Sequence, residues 1–119
     1  MTLYPDTPYE YAASATGLVF TAGACPLDCE GNVVAGGIES QAHAAIDNLF
    51  AVLAREGSSA ERIVKTTVYV ATSDRNELVR AWTVVEQRLT PNRPPSTLLG
   101  VSTLGWPGQL FEIEAVARA

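Results

Sequence analysis

Two carboxylates alternate with apolar residues in Phe111-Glu112-Ile113-Glu114-Ala115-Val116-Ala117. On such a strand a carboxylate is costly unless it is paired or functional, and its natural chemistry is to move a proton. The other reactive side chains are Cys25, Cys29 and the single histidine, His43. Cys25 follows Gly23 closely and its thiol is a candidate nucleophile. No neighbour in sequence would favour its thiolate, however, and the competing reading is a buried, inert thiol. Cys29 reads as a loop thiol and His43 as a solvated helix residue. Two cysteines and one histidine are too few soft ligands for a structural zinc site, so no metal and no other cofactor is expected. At Pro94-Pro95 the chain stiffens before Ser96 and Thr97.

The elements that must position these residues follow from periodicity. Leu18–Gly23 is β-prone and pairs with Tyr9–Ser14. Cys25–Asn32 has loop chemistry, with Val33-Val34 as a brief strand. Ile38, Ala42, Ala45, Ile46, Leu49 and Leu53 form one helical stripe that stops at Gly57. Ser58-Ser59-Ala60-Glu61 matches a capping box over a short turn. Ile63–Ala71 is the strongest strand, with Val64, Thr66, Val68 and Val70 on one face. Ser73-Asp74 caps a second helix whose apolar seam is Leu78, Trp82, Val85 and Leu89. Ser96–Val101 is a strand, Gly105–Gly108 a turn, and Leu110–Ala117 the last strand. The order β-β-α-β-α-β-β predicts a single α+β domain over residues 1–119, with both helices on one sheet face.

The 119 residues carry 13 acids against 8 bases, a formal net charge of −5. That balance, with the basic residues scattered singly, argues against nucleic-acid binding. No apolar run is long enough for a membrane span, and the N-terminus lacks the pattern of a secretory signal, so a cytoplasmic protein is expected. In the last strand Phe111, Ile113, Ala115 and Ala117 share the face suited to the helices; Leu110, Glu112, Glu114 and Val116 share the other. A second face that is half apolar predicts self-association through it, with Glu112 in or beside the interface.

Four motifs occur in order and in register: Val19-Phe20-Thr21-Ala22-Gly23 with Pro26-Leu27-Asp28, Val64-Lys65-Thr66-Thr67-Val68-Tyr69, Pro95-Ser96-Thr97, and Glu112-Ile113-Glu114-Ala115-Val116-Ala117. Together they resemble the reactive intermediate deaminase (RidA/YjgF) family over nearly the whole chain. The resemblance implies a chorismate-mutase-like fold: a mixed six-stranded sheet, two helices on one face, and three subunits closing a barrel-like core. It also implies ligand clefts between subunits and hydrolysis of small imines and enamines to ketones and ammonia.

Matched by motif, Glu112 would orient the water. Tyr9 would line the pocket, and Gly23, Ser96 and Thr97 would bind the ligand. The family's carboxylate-gripping Arg has no counterpart, because Pro95 stands in its place. Arg93, on the same loop, and Arg80, nearest the family's second-helix Asn, are the candidate substitutes. The family commonly has Gln-Ile after the loop glycine, where this chain has Ala24-Cys25. Trp106 reads either as a pocket rim or as an exposed turn aromatic.

The expected protein is thus a homotrimer that hydrolyses an imine, an enamine or a related C–N bond of non-standard substrate. The alternatives are a non-catalytic small-molecule-binding or scaffold trimer and, disfavoured by the acidic charge, a ribonuclease or translation inhibitor.

Overall fold

The computed structural model describes residues 3–119. Five strands form one sheet in the order β1-β2-β5-β3-β4, where β1 is Ala12–Ala15, β2 Leu18–Thr21, β3 Ile63–Ala71, β4 Ser96–Val101 and β5 Phe111–Arg118. Helices α1 (Ile38–Arg55) and α2 (Arg75–Leu89) complete the α+β domain. All pairings are antiparallel except β3 with β4, which run parallel and are joined by α2. A parallel pair needs such a crossover, and this one makes the sheet mixed.

Helix α1 buries the predicted stripe, and Gly57, at φ +77°, ends it in the left-handed region that glycine tolerates. In α2 the side chain of Asp74 accepts the Asn76 N–H, as a helix cap should. Its buried residues are Ala81, Val84, Val85 and Leu89, while Leu78 and Trp82 pack at the margin of the core. The seam is thus rotated from the expected one toward Ala81, whose missing bulk lets the helix lie close.

On β5 the predicted alternation holds: Phe111, Ile113, Ala115 and Ala117 are buried and Glu112, Glu114 and Val116 half-buried. Strand β3 departs from expectation at its start. A register shift between Ile63 and Lys65 inserts Val64 as an extra residue. Ile63 therefore joins Thr66, Val68 and Val70 in the buried set, and Val64 is exposed.

The sheet has five strands rather than six. Val33 meets Leu27 in a single isolated bridge, because Asp28 and Gly31-Asn32 close a tight turn directly between them. The N-terminal pairing is also shorter than predicted: Tyr9 and Glu10 precede β1, and Tyr11 makes one backbone bond, to Ala22. Leu110 lies just outside β5. Among the described residues, no helix is long and apolar enough to cross a membrane.

Candidate functional site

After β2 the chain crosses β5 in a bridge between Ala24 and Ile113, with Ala24 N–H to Ile113 O at 2.6 Å and the reverse bond at 3.1 Å. Side chains alternate along extended backbone, so Gly23 and Cys25 fall on the face that carries Glu112. A Cβ on Gly23 would lie 2.0 Å from Oε2 of Glu112 and 2.5 Å from its carboxyl carbon. Glycine at this position leaves room for the carboxylate: the Glu112 side chain occupies the space where a larger residue's side chain would begin.

The Sγ of Cys25 lies 3.4 Å from Oε1 of Glu112 and 3.5 Å from the carbonyl of Gly23. Burial, then the charge of Glu112 and the hydrogen bond to it, push this thiol up from 9.0 to about 12. At neutral pH it is a protonated donor and not a nucleophile. Asn48 of α1 fixes the loop by donating to the carbonyls of Cys25 and Leu27.

Gln109, which the sequence reading passed over, is the second group on the carboxylate. Its Nε2 donates to Oε1 of Glu112 and to the carbonyl of Phe111, both at 3.0 Å, and its Oε1 accepts the Trp106 N–H. The turn that carries Gln109 is held in place by Gln41 of α1, which donates to Gly108 O and accepts from Leu110 N–H. Gln41 and Gln109 are both buried. The available signal was Gln41 itself, a polar residue three positions after Ile38 on an otherwise apolar helix face.

Glu112 thus opens into a cleft of about 240 Å³ walled by Tyr9, Gly23, Cys25, Gly105 and Trp106. Tyr9 stacks edge-on against Tyr11 and is 37% exposed. Burial above all, with the nearby thiol, pushes its phenol up from 10.0 to about 12. Trp106 packs edge-on against Tyr4, forming the rim of the cleft.

Within one chain the structure leaves four candidates elsewhere. Ser96 and Thr97 lie on β4, with β3 between them and β5. The Ser96 hydroxyl bonds Thr66 and the Pro94 carbonyl, on the helix side of the sheet. Thr97 is exposed, level with Thr67 and Glu114 on the open side, and its hydroxyl accepts from Lys65 at 3.4 Å. Arg93 has φ +46° and lines a separate pocket of about 200 Å³ with Trp82, Pro94 and Ser96. Arg80 grips Glu39 of α1 in a two-bond fork of 3.0 and 2.7 Å. Pro95 contributes its carbonyl, which accepts the Thr66 N–H. None of the residues lining the Glu112 cleft is basic. Among the described residues there is also no cluster of His, Cys, Asp and Glu that could hold a metal ion.

A mixed sheet backed by two helices, with a carboxylate held beside a loop glycine on the open face, defines an α+β protein of the RidA/YjgF class. The model of the endoribonuclease L-PSP family matches residues 1–119, and the chain belongs to this family, the one that contains the RidA/YjgF proteins. A RutC family protein of Pyrococcus abyssi is 33% identical over 114 residues, covering 95% of this chain and 87% of that one. The human 2-iminobutanoate/2-iminopropanoate deaminase is 31% identical over 111 residues, covering 92% and 79%. The solved structure of E. coli TdcF with bound serine superposes with a TM-score of 0.83 at 26% identity, covering 96% and 90%.

Proposed function

We propose that the chain is a homotrimeric hydrolase of small imines or enamines that lack a carboxylate, with Glu112 positioning the water. The observation that carries this reading is Oε2 of Glu112, which lies over Gly23 and faces a cleft with aromatic walls. The deaminase name of the human relative supports the reaction class.

In the reaction the water oxygen bonds to the imine carbon while Glu112 takes a proton from that water. The C=N electron pair moves to nitrogen, which takes that proton from Glu112 to give the carbinolamine, and the carbinolamine hydroxyl proton then passes to the same nitrogen. Collapse of the carbinolamine then expels ammonia and leaves the ketone. Tyr9 and Trp106 cover the apolar part of the substrate. A free carboxylate would meet the charge of Glu112 with no cation beside it, which is why the substrate is one without that group.

The open sheet face supports the assembly. It carries Phe20, 44% exposed, and Leu99, 43% exposed, together with Val116, Tyr69 and the two glutamates. Covering this face with neighbouring copies would close over a cleft that one chain leaves open, with Thr97 on the covered face.

The test compares ammonia release from a carboxylate-free imine and from the imine of an ordinary amino acid. The carboxylate-free substrate should be turned over at least about tenfold faster, since a substrate carboxylate would meet the charge of Glu112 without a counter-ion in the cleft. Equal rates on both would contradict the substrate assignment. Ligand binding without any acceleration would favour the non-catalytic binding trimer, a reading favoured by a cleft without a basic lining residue.

A further inference from the structure

Glu112 does not stand alone: two donors from different loops converge on the same one of its oxygens. Gln109 Nε2 reaches Oε1 at 3.0 Å and Cys25 Sγ reaches it at 3.4 Å, while Oε2 receives neither and lies over Gly23. We propose that Cys25 and Gln109 are positioning residues that hold Oε1 of Glu112 and so leave Oε2 to the water. The proposal rests on the hydrolytic reading above and goes beyond it by naming the groups that aim the carboxylate.

The two donors differ in kind. Gln109 is a fixed one. Its amide is oriented by the Trp106 N–H on Oε1 and by the Phe111 carbonyl on Nε2, so it cannot turn away without stranding buried partners. Cys25 is a movable one. Its single S–H stands between Oε1 of Glu112 and the Gly23 carbonyl at nearly equal distance. An ionised Glu112 draws that proton toward Oε1, and a Glu112 that has taken a proton from water releases it toward Gly23 O. The thiol thus follows the charge of the carboxylate through the cycle and keeps its own proton.

The other titratable groups facing this carboxylate are Tyr9 from the N-terminal segment and Tyr69, its partner position on β3. The Tyr69 hydroxyl is turned to Glu114, two residues further along β5. Neither tyrosine makes a hydrogen bond to Oε1 of Glu112, so the hold on that oxygen is the work of Cys25 and Gln109.

The experiment has one arm without substrate and one with it, both in a Cys29→Ser background so that Cys25 is the only thiol. Thiolate absorbance is first titrated in the parent and in Glu112→Gln. The parent should ionise near pH 12, and Glu112→Gln, still buried but without the adjacent charge, should ionise lower. An unchanged titration overturns the proposal.

In the second arm a carboxylate-free imine is turned over by Gln109→Met, Cys25→Ala and Cys25→Ser. Gln109→Met should lower kcat about tenfold with KM within twofold. Cys25→Ala should lower kcat by less, again with KM within twofold, and Cys25→Ser, which keeps a donor, should recover most of that loss. Should Gln109→Met not fold, the Cys25 pair carries this arm. Variants that lose stability with kcat unchanged, or a Cys25→Ser no better than Cys25→Ala, overturn the proposal. A parent that turns over nothing but shows the shifted titration in Glu112→Gln defeats the hydrolytic reading alone and leaves the hold on Oε1 standing.

Discussion

Gly23 and Glu112 exclude one another's bulk: the place where a Gly23 side chain would begin is already filled by the carboxylate of Glu112, 2.0 Å away. This contact joins the loop after β2 to the open face of β5 and fixes where the carboxylate points.

Replacing Gly23 with alanine should therefore cost function more than fold. The added methyl meets the movable end of a side chain that can swing into the open cleft, so the protein folds, but the carboxylate is displaced. A shift of about 1 Å at a reacting group lowers turnover by roughly a hundredfold. Thermal unfolding and imine turnover measured side by side check this. A Gly23→Ala variant with near-parent turnover would show that the position of Oε2 is unimportant.

Alkaline pH should destabilise the protein through groups at and near the cleft. Cys25, at an ordinary 9.0, and Tyr9 and Tyr69, at an ordinary 10.0, are each pushed up to about 12 in the folded chain. Burial leads for the first two, and the hydrogen bond to Glu114 leads for Tyr69. In all three the folded state favours the protonated form. Their contribution is then complete below pH 9 and is lost as pH rises from 9 toward 12. The urea midpoint should be flat from pH 6 to about 8.5 and fall above it, less steeply in Cys25→Ala. A midpoint flat to pH 11 would contradict the assignment.

Asp74→Ala should cost about 1 kcal/mol by removing the N-cap of α2. The cap is remote from the cleft, so kcat on any substrate should not change. A chevron or denaturant series gives the first quantity and the turnover assay the second.

The open sheet face should decide the oligomeric state. Replacing Phe20 and Leu99 together with glutamate places like charges beside Glu112 and Glu114, and should convert a trimer to monomers with loss of turnover. Light scattering measures this directly. A parent protein of monomer mass would remove the intersubunit cleft.

The sheet's interior was legible because burial enforces parity: one slip along β5 would expose Phe111 and bury Glu112, so alternation alone places them. Parity failed at Val64, where a bulge inserts one residue that composition does not announce. Of the residues lining the cleft, Tyr9, Gly23, Cys25, Trp106 and Glu112 were candidates from the sequence, and Ala22 and Gly105 were not. What holds the carboxylate was not. Gln109 sits in a turn with no period to mark it, and its contact to Glu112 exists only because Gln41 folds that turn back against α1. The commitments of Arg80 to Glu39 and of Ser96 to Thr66 are likewise contacts between distant segments, invisible to local pattern.

The most direct test of the account is ammonia release from a carboxylate-free imine by the parent and by Glu112→Gln, which keeps the shape of the side chain and removes its charge. The account predicts clear acceleration by the parent over the uncatalysed rate, and loss of at least about a hundredfold in Glu112→Gln. Equal rates for the two proteins would remove Glu112 from the mechanism and contradict the account at its centre.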